Sequence, residues 1–220
     1  MTTTDLLDLR DDIYRRPLVT ALERVGIERG WTVADVGAGN GDVSVALATV
    51  VGETGRVYSI DIDPRRRNDV ASRASEHSQV VAITQSVEDL ALPEPIDLAF
   101  CRFLLLGIPS PRQGLTQMMK AVRTGGWVVA QEPITSAGRV GHRPISADAP
   151  GILHPDLGLD LPALFHAVGL ELTDAWVESP VGYRNGPVVA YLEEMTDATI
   201  DNEVVVVPPL MTVVGRKTEL

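Results

Sequence analysis

Ten residues constrain this chain more than any others: Val33-Ala34-Asp35-Val36-Gly37-Ala38-Gly39-Asn40-Gly41-Asp42. Val33, Ala34 and Val36 make a short apolar run suited to a buried strand. Glycines follow at 37, 39 and 41, and then Val43, Ala46, Leu47 and Val50 recur at helical spacing. A strand, a glycine-rich turn and a helix build the nucleotide crevice of a doubly wound sheet. The glycines let the backbone bend sharply and let a ligand lie against it with no Cβ in the way.

The spacing selects among nucleotides. A dinucleotide fingerprint asks for glycine at its first, third and sixth positions, with a pyrophosphate on the helix N-terminus. Here the sixth position is Asp42, so the pattern is Gly-x-Gly-x-Gly, with Asp35 two residues ahead of it. Two carboxylates around the turn repel a pyrophosphate and suit a ligand carrying an ammonium or a sulfonium. The same spacing speaks against a dehydrogenase. On these residues the segment resembles motif I of the class I S-adenosylmethionine (SAM) dependent methyltransferases.

Further motifs fall in register with that resemblance. Arg56 to Ile60 read as a second strand ending in Asp61-Ile62-Asp63-Pro64. Asp61 therefore stands about 20 residues past the turn, where folds of this kind hold a ribose diol. Val80 to Thr84 read as a third strand followed by Gln85-Ser86-Val87-Glu88-Asp89-Leu90, and Asp97 to Arg102 as a fourth. Gly125-Gly126 and Trp127 to Glu132 match the family's Gly-Gly turn and fifth strand. The resemblance implies SAM as cofactor. It implies a cradle of Asp35, Gly37, Ala38, Gly39 and Gly41, with Asp61 at the ribose and Ile62 beside it in the cofactor site. Ser86, Val87 and Glu88 follow near the adenine; Ser86 stands where the family usually has an acid, which shifts adenine recognition towards the Val87 backbone. Arg102 is expected at the methionine carboxylate or the acceptor, with pairing to an acid as the alternative.

Composition narrows the partner. A net charge of −11 lacks the basic footprint of a nucleic-acid binder, and 5% aromatic residues offer few stacking platforms for bases. The Asn/Asp-Pro-Pro-Tyr/Phe signature of amino-methyltransferases is absent after the fourth strand. A small-molecule acceptor is the expectation, with no nucleic acid and no membrane partner; a homodimer is left open. Cys101 is the single cysteine, so no disulfide and no cysteine-based metal site is expected. The N-terminal residues have no secretory pattern, and no apolar run reaches membrane length, so the expected compartment is the cytoplasm.

The expected fold class is α/β: a Rossmann-like doubly wound sheet, mostly parallel with a final antiparallel strand, and helices on both faces. Residues 1–220 are expected as a single domain. Residues 1–29 are N-terminal helices or a lid, 30–132 the SAM-binding core, and 133–220 a substrate-side loop with the C-terminal part of the sheet. Within the last, residues 133–158 are dense in proline and glycine and read as a loop. Candidate bases are His154, oriented by Asp156, and Glu132 at the end of the fifth strand. For Glu132 a salt bridge to Arg102 or a helix cap weighs equally. His166 reads as structural. Two further readings stay open: a SAM-binding enzyme catalysing a cyclisation or decarboxylation, and a non-catalytic SAM-binding module.

Overall fold

The computed structural model describes residues 3–145, 151–196 and 199–219. Two helices lead the chain, α1 (Thr3–Ile13) and α2 (Arg15–Val25). Then β1 (Thr32–Val36), α3 (Asp42–Val51), β2 (Arg56–Asp61), α4 (Arg66–Arg73), β3 (Val80–Thr84), β4 (Ile96–Arg102), α5 (Pro111–Ala121) and β5 (Val122–Pro133) alternate. After β6 (Arg139–Val140) and β7 (Arg143–Pro144) come α6 (Leu157–Ala167), β8 (Glu171–Glu178), β9 (Val181–Tyr183), α7 (Pro187–Thr196), β10 (Val204–Val206) and β11 (Leu210–Arg216).

Seven strands form one sheet in the order β3-β2-β1-β4-β5-β11-β8. β1 to β5 are mutually parallel, and β11 runs antiparallel to both β5 and β8. The expected Rossmann-like class is borne out. The chain order reverses between β1 and β4, which opens the crevice at their carboxyl ends.

The period of two along each strand sorts the core into two layers. Val33, Val57, Leu98, Phe100, Val129 and Val214 face one side, where Leu18 and Leu22 of α2 and Leu47 and Val51 of α3 cover them. Their neighbours Ala34, Tyr58, Ala99, Cys101, Ala130 and Val213 face the other, under Leu115 and Met118 of α5 and Leu161 and Phe165 of α6. Every one of these residues is buried, which is why the strands read as continuous apolar runs.

A second sheet, β7-β6-β10-β9, is not visible in the sequence pattern. It forms from two-residue and three-residue strands, including part of the segment expected as loop. Residues 146–150 of that segment, and 197–198 beyond α7, lie outside the described residues. Together with α1 and α7 the small sheet buries a third cluster that contains Tyr14, Ile145, Val189, Tyr191, Leu192, Val205 and Leu210. This cap stands over the carboxyl ends of β4 and β5.

Phe165 is fully buried, and Gly215 of β11 makes room for its ring: a Cβ there would meet Cδ1 at 2.6 Å. Phe165→Ala should lower the unfolding free energy by about 3–5 kcal/mol, read from the shift of the denaturant midpoint at constant slope.

Candidate functional site

The turn after β1 is a run of left-handed glycines: φ is +79° at Gly37, +54° at Gly39 and +88° at Gly41. They are glycine for different reasons. A Cβ on Gly37 would sit 2.8 Å from Leu104 Cδ1, and one on Gly41 3.2 Å from the Val70 Cα, whereas one on Gly39 would meet nothing within 4 Å. Gly37 and Gly41 are therefore held by packing, and Gly39 borders open crevice. The Gly37 and Ala38 amides donate to Ile60 O at 2.8 and 2.9 Å, which fastens the turn to the end of β2.

Asp61 stands at that end. Its Oδ2 accepts from the Gly39 amide and its Oδ1 from the Asp63 amide, both at 2.9 Å. A carboxylate has about four lone-pair sites, so each oxygen keeps one for a diol. Ile62 beside it is 70% exposed, an apolar side chain bare at the rim of the crevice. Ser86 caps the short 3-10 helix Val87–Asp89, its Oγ accepting from the Glu88 amide at 3.2 Å. Its hydroxyl hydrogen remains available. Val87 is buried, and the Glu88 carbonyl is taken by Gln117 at 3.1 Å.

Several expected roles need correction. Asp35 does not face the crevice: it is buried beneath the turn and accepts from Ser44 Oγ at 2.5 Å, and that hydroxyl also bonds Ser59 at 2.7 Å. Burial raises its pKa to about 7, against the Ser44 hydrogen bond. Asp42, the second carboxylate of the turn, is also buried, with Arg102 Nη2 at 3.4 Å, Arg15 Nη2 at 3.2 Å and Arg73 Nη1 at 3.9 Å. Neither acid offers charge to a ligand, so the electrostatic reading of the motif fails even where its glycine spacing holds. Arg102 is not a free cation either. It is buried, and its Nη2 donates to Asp11 Oδ1 at 2.9 Å and its Nη1 to the Tyr14 carbonyl at 3.4 Å. Pairing with an acid, one of the two readings, is what the structure contains.

Both candidate bases are engaged elsewhere. Glu132 is fully buried, and its carboxylate accepts from the amides of Leu104 at 3.0 Å, Leu105 at 2.7 Å and Leu106 at 3.4 Å. The cap, not the base, is its role. Burial lifts its pKa to about 7, the three amides opposing. His154 turns its Nε2 to the Ile108 carbonyl at 3.0 Å and lines a shallow groove by α5 and α6. Asp156 does not orient it: that carboxylate accepts from Thr135 Oγ1 at 3.0 Å and the Ser136 amide at 2.7 Å. His166, expected to be structural, is exposed.

Next to the crevice, at the carboxyl ends of β4 and β5, lies a cavity of about 430 Å³. Leu6, Phe103, Leu106, Ile145, Ile152 and Met195 give it an apolar wall, and Arg10, Tyr14 and Tyr191 add polar groups. Arg10 and Tyr191 have no counterpart in the sequence reading. Leu6, Arg10 and Tyr14 recur every four residues, and a charge inside such a stripe was the available signal.

The comparisons agree with this geometry. Residues 33–126 match the family described as a methyltransferase domain. That match takes in β1 to β4 and the start of β5, somewhat less than half of the chain. A demethylmenaquinone methyltransferase of Bacillus licheniformis is 29% identical over 112 residues, covering 50% of this chain and 48% of that protein. The chain thus spans about half the length of the curated relatives it matches. Among solved structures, the YcgJ protein of Bacillus subtilis is similar with a TM-score of 0.71 at 14% identity, covering 94% of this chain and 100% of that one. A SAM-dependent methyltransferase from Aquifex aeolicus is similar with a TM-score of 0.64 at 16% identity, covering 98% of each chain. At these identities the likeness is one of fold, and it extends over nearly the whole chain.

The two raised carboxyl pKa values have a consequence for stability. An acid that holds its proton more tightly when folded favours the native state in acid, and that advantage is lost as pH rises from about 4 to about 7. Between those limits the unfolded chain ionises first, so each group gives a negative slope of up to about 1.4 kcal/mol per pH unit. The difference in unfolding free energy between wild type and Glu132→Gln should therefore drift across that window and level off above it. Chemical denaturation at pH 5, 6, 7 and 8 measures it. A difference independent of pH would mean that Glu132 is ionised throughout.

Proposed function

We propose that the protein transfers a methyl group from SAM to a small-molecule acceptor, with SAM in the glycine-turn crevice and the acceptor in the adjoining cavity. The observation that carries this is the pairing of Gly39, open to the crevice, with Asp61, whose carboxylate is fixed by two backbone amides yet keeps acceptor sites. Such a carboxylate fits a ribose diol, and the bare face of Ile62 fits an adenine. Ala38, Ser86 and Val87 complete the rim of that site. The residues present therefore fit the cofactor. Bound SAM supplies a methyl carbon already activated towards a nucleophile.

The rest of the chemistry is positional. Glu132 fixes Leu104, Leu105 and Leu106 through their amides, and so fixes the floor between crevice and cavity. The apolar wall excludes water. An acceptor held at roughly 3–3.5 Å and in line gains most of the rate from orientation alone. A net charge of −11 supports a small molecule rather than a nucleic acid as partner. Among the described residues no helix is long and apolar enough to cross a membrane. A cytoplasmic enzyme is the reading we adopt. Residues 30–132 then serve as the cofactor core, with 1–29 and 133–220 building the acceptor side.

Calorimetric titration tests the assignment. SAM and S-adenosylhomocysteine should bind in the micromolar range and NAD far more weakly; tighter NAD binding would overturn it. Asp61→Ala should weaken SAM binding by about 10–150-fold while the melting transition stays in place, since a hydrogen bond to a charged group is worth roughly 1.5–3 kcal/mol.

His154→Ala should leave turnover near the wild-type value. A loss of about 10²–10⁴-fold would restore His154 as a general base.

A further inference from the structure

The polar groups of the acceptor cavity gather on one wall. Arg10 lies over the Phe103 ring, its guanidinium carbon 4.6 Å from the centroid, and Tyr14 meets the same ring edge-on at 5.0 Å. Arg10 uses Nε and Nη2 on a single oxygen, Asp11 Oδ1, at 3.3 and 3.1 Å. That oxygen is also the partner of the buried Arg102 at 2.9 Å. One carboxylate oxygen thus serves two guanidinium groups. Arg10 keeps Nη1 without a protein acceptor among the described residues, and its side chain is 23% exposed.

Tyr14 and Tyr191 differ in the same way. The Tyr14 hydroxyl donates to the Pro208 carbonyl at 2.8 Å and is committed to the scaffold. Tyr191 is 9% exposed and lines the cavity, and its hydroxyl has no hydrogen-bond partner among the described residues. Burial raises both phenols, and the charge of Arg10 pulls each back, which places Arg10 within electrostatic reach of both hydroxyls. A cavity-lining hydroxyl without a protein partner and a neighbouring cation with a spare donor are both free to donate to one incoming oxygen. Among the described residues no carboxylate hydrogen-bonds the Tyr191 hydroxyl: Asp11 Oδ1 is shared by Arg10 and Arg102, Asp11 Oδ2 is buried without a partner and acts on the phenol only through its charge, and Glu132 is capped.

Resting on the methyl-transfer reading, we propose that the cavity takes an apolar molecule bearing one anionic oxygen, carboxylate or phenolate, gripped jointly by Arg10 and Tyr191. The apolar wall accounts for the body of the ligand and the Arg10–Tyr191 pair for its single charge. An acceptor that enters ionised needs no side chain to remove its proton. That agrees with the engagement of Glu132 and His154 elsewhere.

The test uses 2-naphthoate, 2-naphthol, methyl 2-naphthoate and 2-naphthylmethylammonium, titrated into the full chain saturated with S-adenosylhomocysteine. At least one of 2-naphthoate and 2-naphthol should bind ten or more times tighter than the ester and the ammonium. Preference for naphthoate identifies a carboxylate ligand; preference for naphthol, with the absorbance of its anion appearing on binding, identifies a phenolate. Arg10→Met should reduce that affinity about 10–100-fold, and Arg10→Lys should recover part of it. Tyr191→Phe should reduce it about 3–10-fold. Should Arg10→Met fail to fold, Arg10→Lys and Tyr191→Phe decide alone. Ester binding as tight as the anions overturns the proposal. So does an Arg10→Met variant that loses S-adenosylhomocysteine while keeping naphthoate, because Arg10 would then belong to the cofactor. Failure of S-adenosylhomocysteine to bind at all strikes the methyl-transfer reading instead, and the anion preference is then read on the protein alone.

Discussion

A buried arginine at the carboxyl end of β4 holds the two halves of this molecule together. Arg102 comes from the sheet, Asp42 from the first turn of α3, and Asp11 from α1, and the three meet out of water. Removing one member of such a set leaves an uncompensated buried charge, at a cost of several kcal/mol. The cluster also determines position. It draws α1 over the crevice, where Asp8 accepts from the side chain of Asn40 inside the glycine turn at 2.8 Å and pairs with Arg73 of α4. Helix α1 therefore contacts the glycine turn on one flank and the adjoining cavity on the other. The cap formed by α1, α7 and the small sheet takes its place from this anchoring.

How much of this the sequence disclosed depends on the range of the interactions. The strand–turn–helix of residues 32–51 is legible because its signals are local: a short apolar run, three glycines at positive φ, and a helical repeat. The same holds for β2, β4 and β11, whose largely apolar runs follow from burial on both faces, and for the edge strand β3, whose β-branched residues mark it although it is only partly buried. The expected final antiparallel strand is observed as Leu210–Arg216. The Asp61 position was legible too, since the length of a βαβ unit sets it.

What escaped the sequence depends on long-range partners. Arg102 and Asp11 are 91 positions apart, and nothing local marks them as a pair. Glu132 looked as much like a base as a cap, because its three amide donors come from a turn 26 to 28 residues earlier. The small sheet stayed hidden because two-residue strands carry no period, and their pairing is decided by the cluster packed beneath them. Asp35 shows the same limit. Its place before the glycines suggested a charge for the ligand, but the sequence says nothing of the Ser44 and Ser59 hydroxyls that occupy it.

The Glu132 cap has one more consequence. By gripping three successive amides it welds the end of β5 to the turn after β4, so the floor shared by crevice and cavity is a single rigid plate. The opposite wall, from α1 and α7, meets that plate through side chains. Evolution can thus reshape one side of the cavity while leaving the other untouched. On the proposed methyl-transfer reading, altered acceptor choice should map to substitutions on the two helices, around Leu6, Arg10, Tyr191 and Met195, with the sheet-borne floor kept constant. The architecture separates what must stay fixed for transfer from what is free to diversify.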